Sequence, residues 1–144
     1  MGIWKRIFGI SDTSQPKDPD SWKVEGERLI LDLQRLSELH VPGGAVRLEG
    51  KGLARRLLIV HGNDGAYHAF ENRCTHMGRR LDPLAGREQV RCCSVSKSTF
   101  DYAGKPVSGA ARKPIHIFET RETDGRLIVY LTPIGCCVKP GRAN

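Results

Sequence analysis

No apolar run in this chain approaches the roughly 20 residues that a helical membrane span needs. Residues 1–10 also lack the uninterrupted apolar core and small-residue cleavage site of a signal peptide. A cytoplasmic location is the resulting expectation. Cysteine is scarce and odd in number, five in 144 residues, at Cys74, Cys92-Cys93 and Cys136-Cys137. Secreted disulfide frameworks use even counts at wide spacing, so this pattern points to a metal or redox site. Aromatics make up only 6%. No helix-turn-helix pattern, zinc finger or aromatic ribonucleoprotein motif accompanies the +7 net charge, which excludes nucleic acid as the expected partner. The charge itself favours acidic partners or anionic surfaces. No nucleophile–base pair, Gly-rich phosphate loop or pair of catalytic carboxylates stands out.

The length suits one domain with one core, and the 39% apolar fraction suits a soluble globular chain. Met1 to Ile10 is a short basic amphipathic segment, with Ile3, Trp4, Ile7 and Phe8 at helical spacing around Lys5 and Arg6. It reads as a weak membrane-surface or partner-docking element, or as a frayed end. Ser11 to Ser21, rich in Ser, Asp and Pro, reads as a linker. The folded domain is expected over 22–133, with a tail at 134–144.

Within the domain the pattern is short strands and turns. Strands are expected at Leu29–Leu33, Ala45–Glu49, Arg55–His61, Ala66–Phe70, Gln89–Cys93, Thr99–Asp101, Ile115–Phe118 and Arg126–Leu131. Asn63-Asp64-Gly65 and Asp124-Gly125 are hairpin turns, and Leu36–Leu39 is a single helical turn. Many short strands at regular spacing mean an all-β fold. Tyr67, Phe70 and Phe118 alternate with polar neighbours and belong to the core.

The chemistry concentrates in two stretches. The first is Cys74-Thr75-His76-Met77-Gly78. The second is Cys93-Ser94-Val95-Ser96-Lys97, followed by Ser98-Thr99-Phe100-Asp101. The chain resembles the Rieske iron–sulfur family, whose loops read C-x-H-x-G and C-P-x-H-G with a Phe-Asp after the second. Leu36–Leu39 with Pro42-Gly43-Gly44, Leu81, Gly104-Lys105-Pro106, Ala110 and Pro114 extend the likeness over Trp22 to Pro133. The resemblance implies an antiparallel β-sandwich with a small cluster-binding subdomain. It also implies a [2Fe-2S] site in which two cysteines hold one iron and two histidines the other. Transferred residue by residue, it gives Cys74, His76, Cys93 and Ser96 as the cofactor-binding and metal-ligating positions. Ser96 stands where the family has its second histidine, Ser94 where it has proline and Lys97 where it has glycine. A glycine there permits backbone conformations that Lys97 adopts only with strain.

Several readings stay open. A cluster persists with Ser96 or Cys92 as fourth ligand, Ser96 being the better placed, because Cys92 and Cys93 point opposite ways on an extended strand. An oxygen or sulfur anion there lowers the potential relative to histidine. Alternatively the cluster is lost, leaving a binding module or enzyme subunit, or a thiol redox pair at Cys74 and Cys93. A tetrahedral zinc on Cys74, His76, Cys93 and one further ligand is a third reading. His40, His61, His68 and His116 have no ligand spacing and read as surface or hydrogen-bonded residues.

Arg73, Arg79, Arg80, Arg91 and Lys97 flank the ligand positions. They form either a solvated rim or a docking face for an acidic redox partner. Domains resembling this one carry single electrons or serve as subunits of larger oxidoreductase systems. An electron carrier of ferredoxin type, rather than an enzyme on its own, is the resulting expectation.

Overall fold

The computed structural model describes residues 11–94 and 97–134, apart from the side chains of 133 and 134. The Met1–Ile10 segment, Ser96, Cys136 and Cys137 lie outside the described residues.

Among the described residues, eleven antiparallel strands form two sheets. The larger contains β1 (Trp22–Glu25), β2 (Arg28–Asp32), β3 (Ala45–Leu48), β4 (Leu57–His61), β5 (Tyr67–Glu71), β10 (Ile117–Thr123) and β11 (Arg126–Ile134), in the order β1-β2-β11-β10-β5-β4-β3. The smaller runs in chain order: β6 (Leu81–Pro83), β7 (Gln89–Cys92), β8 (Thr99–Asp101) and β9 (Pro106–Ser108). This is the expected all-β sandwich with a small subdomain.

Strand β4 explains how the layers meet. Its run Leu57-Leu58-Ile59-Val60 does not alternate with polar residues, and all four side chains are buried. Successive strand residues face opposite sides, so Leu57 and Ile59 enter the core enclosed by the large sheet while Leu58 and Val60 enter a second core beneath the small sheet. In β5, Ala69 and Phe70 divide the same way. Each large aliphatic or aromatic side chain buried like this stabilises by about 1.5–3 kcal/mol. The second core contains Leu81, Val90, Phe100, Ile115, Cys74 and Cys92, and so forms the floor of the motif region.

Turn chemistry closes the sheets. Asp124 (φ 50°) and Gly125 (φ 74°) make the two-residue turn between β10 and β11, which needs positive φ at both positions. Leu33, expected to extend the first strand, instead starts a 3-10 turn, because the Asp32 carboxylate accepts the Gln34 amide and caps it. Ser37–Leu39 forms the expected helical turn. Gly44 follows it where no other residue fits, since a Cβ would stand 2.1 Å from the Glu38 carbonyl oxygen. Strands β1, β6 and β9 carry no expectation from sequence.

Residues 11–21, read as a linker, lie against both sheets. The Asp12 and Thr13 amides and the Thr13 hydroxyl donate to the Asp82 carboxylate of β6, at 2.7–2.9 Å. The Arg47 amide of β3 donates to the Ser14 carbonyl and its Nε to the Thr13 carbonyl, both at 3.0 Å. The segment ties the edge of the large sheet to the edge of the small one.

Candidate functional site

Three loops converge at one end of the small sheet. Loop one runs from β5 to β6 and carries Cys74 to Gly78. Loop two joins β7 to β8 and carries Cys93 to Ser98. Loop three joins β9 to β10 across 109–116. Loop one is pinched at its root by Asn72, a buried residue whose amide donates to the Arg56 carbonyl and whose Oδ1 accepts the Leu81 amide at 2.7 Å. Inside the loop the Cys74 amide donates to the Arg79 carbonyl and the Gly78 amide to the Cys74 carbonyl. Gly78 has φ 73°, which is why the loop can reverse there.

The loops hold one another through their backbones. The Cys93 amide donates to the Arg80 carbonyl at 3.0 Å, joining loop two to loop one. The Thr75 hydroxyl donates to the Lys113 carbonyl at 2.6 Å, joining loop one to loop three. The Ala111 amide donates to the buried Ser98 hydroxyl at 3.0 Å, joining loop three to loop two. Gly109 packs so closely on loop two that a Cβ would stand 2.5 Å from Ser98 Cα. Lys97 has φ 54°, the left-handed conformation for which glycine is suited, and its amide donates to the Ser94 carbonyl.

Cys74 is fully buried in the same core cluster as Cys92, whose side chain is its strongest electrostatic neighbour. The Cys92 thiol also lies 3.1 Å from the buried Ser94 hydroxyl. The Cys92 contact draws Cys74 well below the usual thiol range. The Met77 and His76 amides and the Ser98 hydroxyl add to this, while burial opposes it. The same contact, together with burial, pushes Cys92 up and keeps it protonated. Cys93 is buried on the side of Arg79, Arg80 and Asp82. Burial raises its pKa and the Asp82 carboxylate raises it further.

His76 is exposed at the tip, between exposed Thr75 and Met77. Among the described residues, no three His, Cys, Asp or Glu side chains gather closely enough to hold a metal ion. In chemical terms loop one does fit an iron–sulfur ligand. The Cys92 side chain, the Met77 and His76 amides and the Ser98 hydroxyl all favour the anionic form of one buried sulfur, the form that binds iron.

The other histidines are engaged elsewhere. His40 Nε2 lies 2.8 Å from the Leu33 carbonyl, His61 Nδ1 lies 2.9 Å from the Leu39 carbonyl, and His68 Nε2 lies 2.8 Å from Asp64. Of the basic residues near the loops, Arg80 grips Glu49 through Nε at 2.6 Å and Nη2 at 3.0 Å, and Arg47 approaches the same carboxylate at 3.1 Å. That pairing holds Glu49 below the usual carboxylate range and Arg80 above its own. Arg91 stands opposite Asp82 in the β6–β7 register. Lys97, Arg112 and Lys113 are exposed around the tip. Sequence reasoning missed Arg112, Lys113, Ser98 and Arg56, whose Nη2 donates to the Gly78 carbonyl at 2.7 Å. Only the adjacent basic pairs Arg55-Arg56 and Arg112-Lys113 left a visible signal in the chain.

The family model described as the Rieske [2Fe-2S] domain matches residues 4–119. Similar solved structures include three examples. One is a complex of reduced oxygenase and oxidized ferredoxin in carbazole 1,9a-dioxygenase, at 23% identity, covering 68% of this chain and 89% of that one with a TM-score of 0.56. Another is the ferredoxin of carbazole 1,9a-dioxygenase from Nocardioides aromaticivorans IC177, at 18% identity, 69% and 92% coverage and a TM-score of 0.56. The third is the quaternary ammonium Rieske monooxygenase CntA in complex with L-carnitine, at 17% identity, 91% and 35% coverage and a TM-score of 0.55. At these identities the likeness is one of fold. Comparison with curated proteins gives no match.

Proposed function

Because the chain belongs to the Rieske [2Fe-2S] domain family, we propose that it is a ferredoxin-type electron-transfer protein working with a larger oxidoreductase system rather than an enzyme by itself. The observation that carries this reading is the fully buried sulfur of Cys74, set in a loop that hydrogen bonds lock to two others. The residues proposed to hold a cluster are Cys74 and His76 of loop one and Cys93 and Ser96 of loop two. A [2Fe-2S] cluster, when bound, supplies reversible one-electron chemistry, and an oxygen ligand at Ser96 places its potential below that of a two-histidine centre.

The chain's own residues set the conditions for that chemistry. The amides of His76 and Met77 and the Ser98 hydroxyl stabilise negative charge on Cys74. Leu81, Val90, Phe100 and Ile115 exclude water from beneath it. His76 and Met77 are exposed on loop one, and Lys97, Arg112 and Lys113 are exposed on the two loops hydrogen-bonded to it. An acidic redox partner would therefore meet the carrier at the tip, over a short path to the buried sulfur.

A second reading, a cluster-free Rieske-fold binding module or subunit, is favoured by one observation: Cys74 is packed with Cys92 inside the buried core. Iron and acid-labile sulfide analysis with electron paramagnetic resonance on anaerobically purified, dithionite-reduced protein separates the two. Equal iron and sulfide with a rhombic signal of low average g is the expected result for the carrier. Colourless protein without iron would overturn it in favour of the module.

A further inference from the structure

Beside loop one, where β4 and β10 begin and β5 ends, lies a cleft of about 610 Å³ lined by Arg55, Arg56, Glu71, Arg73, Gly78 and His116. Three guanidinium groups face a single carboxylate. That carboxylate is already used: Glu71 Oε1 lies 3.2 Å from Arg55 Nη1 and 3.1 Å from His116 Nδ1. Arg55 Nη1 lies 2.9 Å from the same His116 nitrogen, so the three side chains form one closed group. Arg56 spends one N–H on the Gly78 carbonyl and keeps the others. Arg73 is exposed, and its Nε stands 3.5 Å from where a Cβ of residue 78 would be, over the turn of loop one. Among the described residues neither Arg56 nor Arg73 has a carboxylate partner.

We infer that this cleft receives carboxylate side chains of an acidic segment on a protein partner. Arginine forks bind carboxylates with two parallel hydrogen bonds, and the two guanidinium groups without a carboxylate leave the cleft positively charged. A lone oxyanion would fill only a small part of 610 Å³, whereas an extended stretch carrying Asp or Glu matches both the volume and the charge. The Arg56–Gly78 bond connects the cleft to the turn that shapes the Cys74 loop, so a segment held there lies next to the tip. The inference rests on reading the chain as a carrier that meets a partner at its loop end. It adds a specific binding cleft on the flank of that end.

The test is calorimetric titration of the intact chain with hexaglutamate and, separately, with inorganic phosphate, with iron and acid-labile sulfide measured on the same preparations. The expected result is saturable hexaglutamate binding that Arg73→Gln and Arg56→Gln each weaken about tenfold, as loss of a bidentate charged contact does. Lys23→Gln, at the far edge of the large sheet, should change it less than about twofold, as for an isolated surface charge. Arg73→Gln removes no hydrogen bond that holds loop one, so its result stands even if Arg56→Gln fails to fold. No hexaglutamate binding, or equal weakening by Lys23→Gln, would show that only net charge acts and would overturn the cleft. Phosphate binding as tightly as the peptide would overturn the peptide assignment. Cluster content is read independently. Iron-free protein that still binds hexaglutamate through Arg73 refutes the carrier and keeps the cleft. Cluster-loaded protein that does not bind refutes the cleft alone.

Discussion

The thiol packed in the same buried cluster as Cys74 belongs to Cys92, the neighbour of the motif cysteine, and both residues are buried in the core beneath the small sheet. The contact follows from strand register. Cys92 pairs with Leu81 across β6 and β7, and the inward face of that pair is the face on which loop one sets Cys74.

Iron-free protein treated with excess oxidised glutathione is therefore expected to form a Cys74–Cys92 disulfide. Each thiol loses a proton and one sulfur–sulfur bond forms, while glutathione disulfide is reduced to two thiols. Mass spectrometry of digests is expected to show the cross-link retained in Cys93→Ser and lost in Cys92→Ser. The reverse pattern would place the thiol pair at Cys74 and Cys93.

Lys97 carries a left-handed backbone that costs a residue with a Cβ about 1–2 kcal/mol. Glycine relieves that strain but loses more chain entropy on folding, about 0.5–1 kcal/mol. Lys97→Gly is expected to stabilise the protein by about 0.5–1 kcal/mol in urea unfolding. No gain, or a loss, would mean that Lys97 makes a compensating contact.

Gly109→Ala should have the opposite sign. The new methyl would stand 2.5 Å from Ser98 Cα and 2.9 Å from the Lys97 carbonyl oxygen, at φ 86°. A loss of about 2–3 kcal/mol is expected, with faster hydrogen exchange at the Ala111 amide, because that amide's bond to Ser98 is the contact displaced.

Glu49 is held below its ordinary value of 4.5, first by the Arg80 hydrogen bond. A carboxylate whose pKa is lower in the folded state stabilises the fold above its unfolded pKa and loses that contribution as pH falls through the folded value. Glu49→Gln is expected to cost roughly 1 kcal/mol near neutrality. The gap between wild type and variant should close progressively below pH 4.5. Denaturant unfolding across that range checks it, and a gap independent of pH would mean that packing rather than charge holds Glu49.

Asp82→Asn weakens three hydrogen bonds from residues 12 and 13 that depend on a charged acceptor. The expected outcome is a loss of about 1–2 kcal/mol, with faster proteolysis within 11–20. Unchanged cleavage would show that Arg47 alone secures the segment.

Much of the fold was legible in the chain because alternation, apolar runs and turn residues mark most of its strands. The apolar run of β4 and the Asp124-Gly125 turn each have a single physical reading. The three-residue strands β6 and β9 are held by partners rather than by pattern, so no local signal announced them. The same holds for residues 11–21. Their polar composition reads as a linker, but Asp82 and Arg47, distant in sequence, hold them in place. At the candidate site, the resemblance of two loops to a known family singled out Cys74, His76 and Cys93, and the structure buries the two cysteines and leaves His76 exposed at the tip. The roles of Ser98, Arg56 and Glu49 were not legible, because each acts through a bond to a residue at least 13 positions away.

The sequence by itself determined the family likeness, the chain order of the main strands and the strain expected of Lys97 where the family has glycine. These depend on side-chain period, turn chemistry and Cβ sterics, which are local. Tertiary structure alone decided that Cys92 meets Cys74, that Glu49 joins Arg47 to Arg80, and that Arg55, Arg56 and Arg73 share a cleft with one carboxylate. Each depends on which faces of distant strands and loops come together, and that is set by burying two cores on opposite sides of β4.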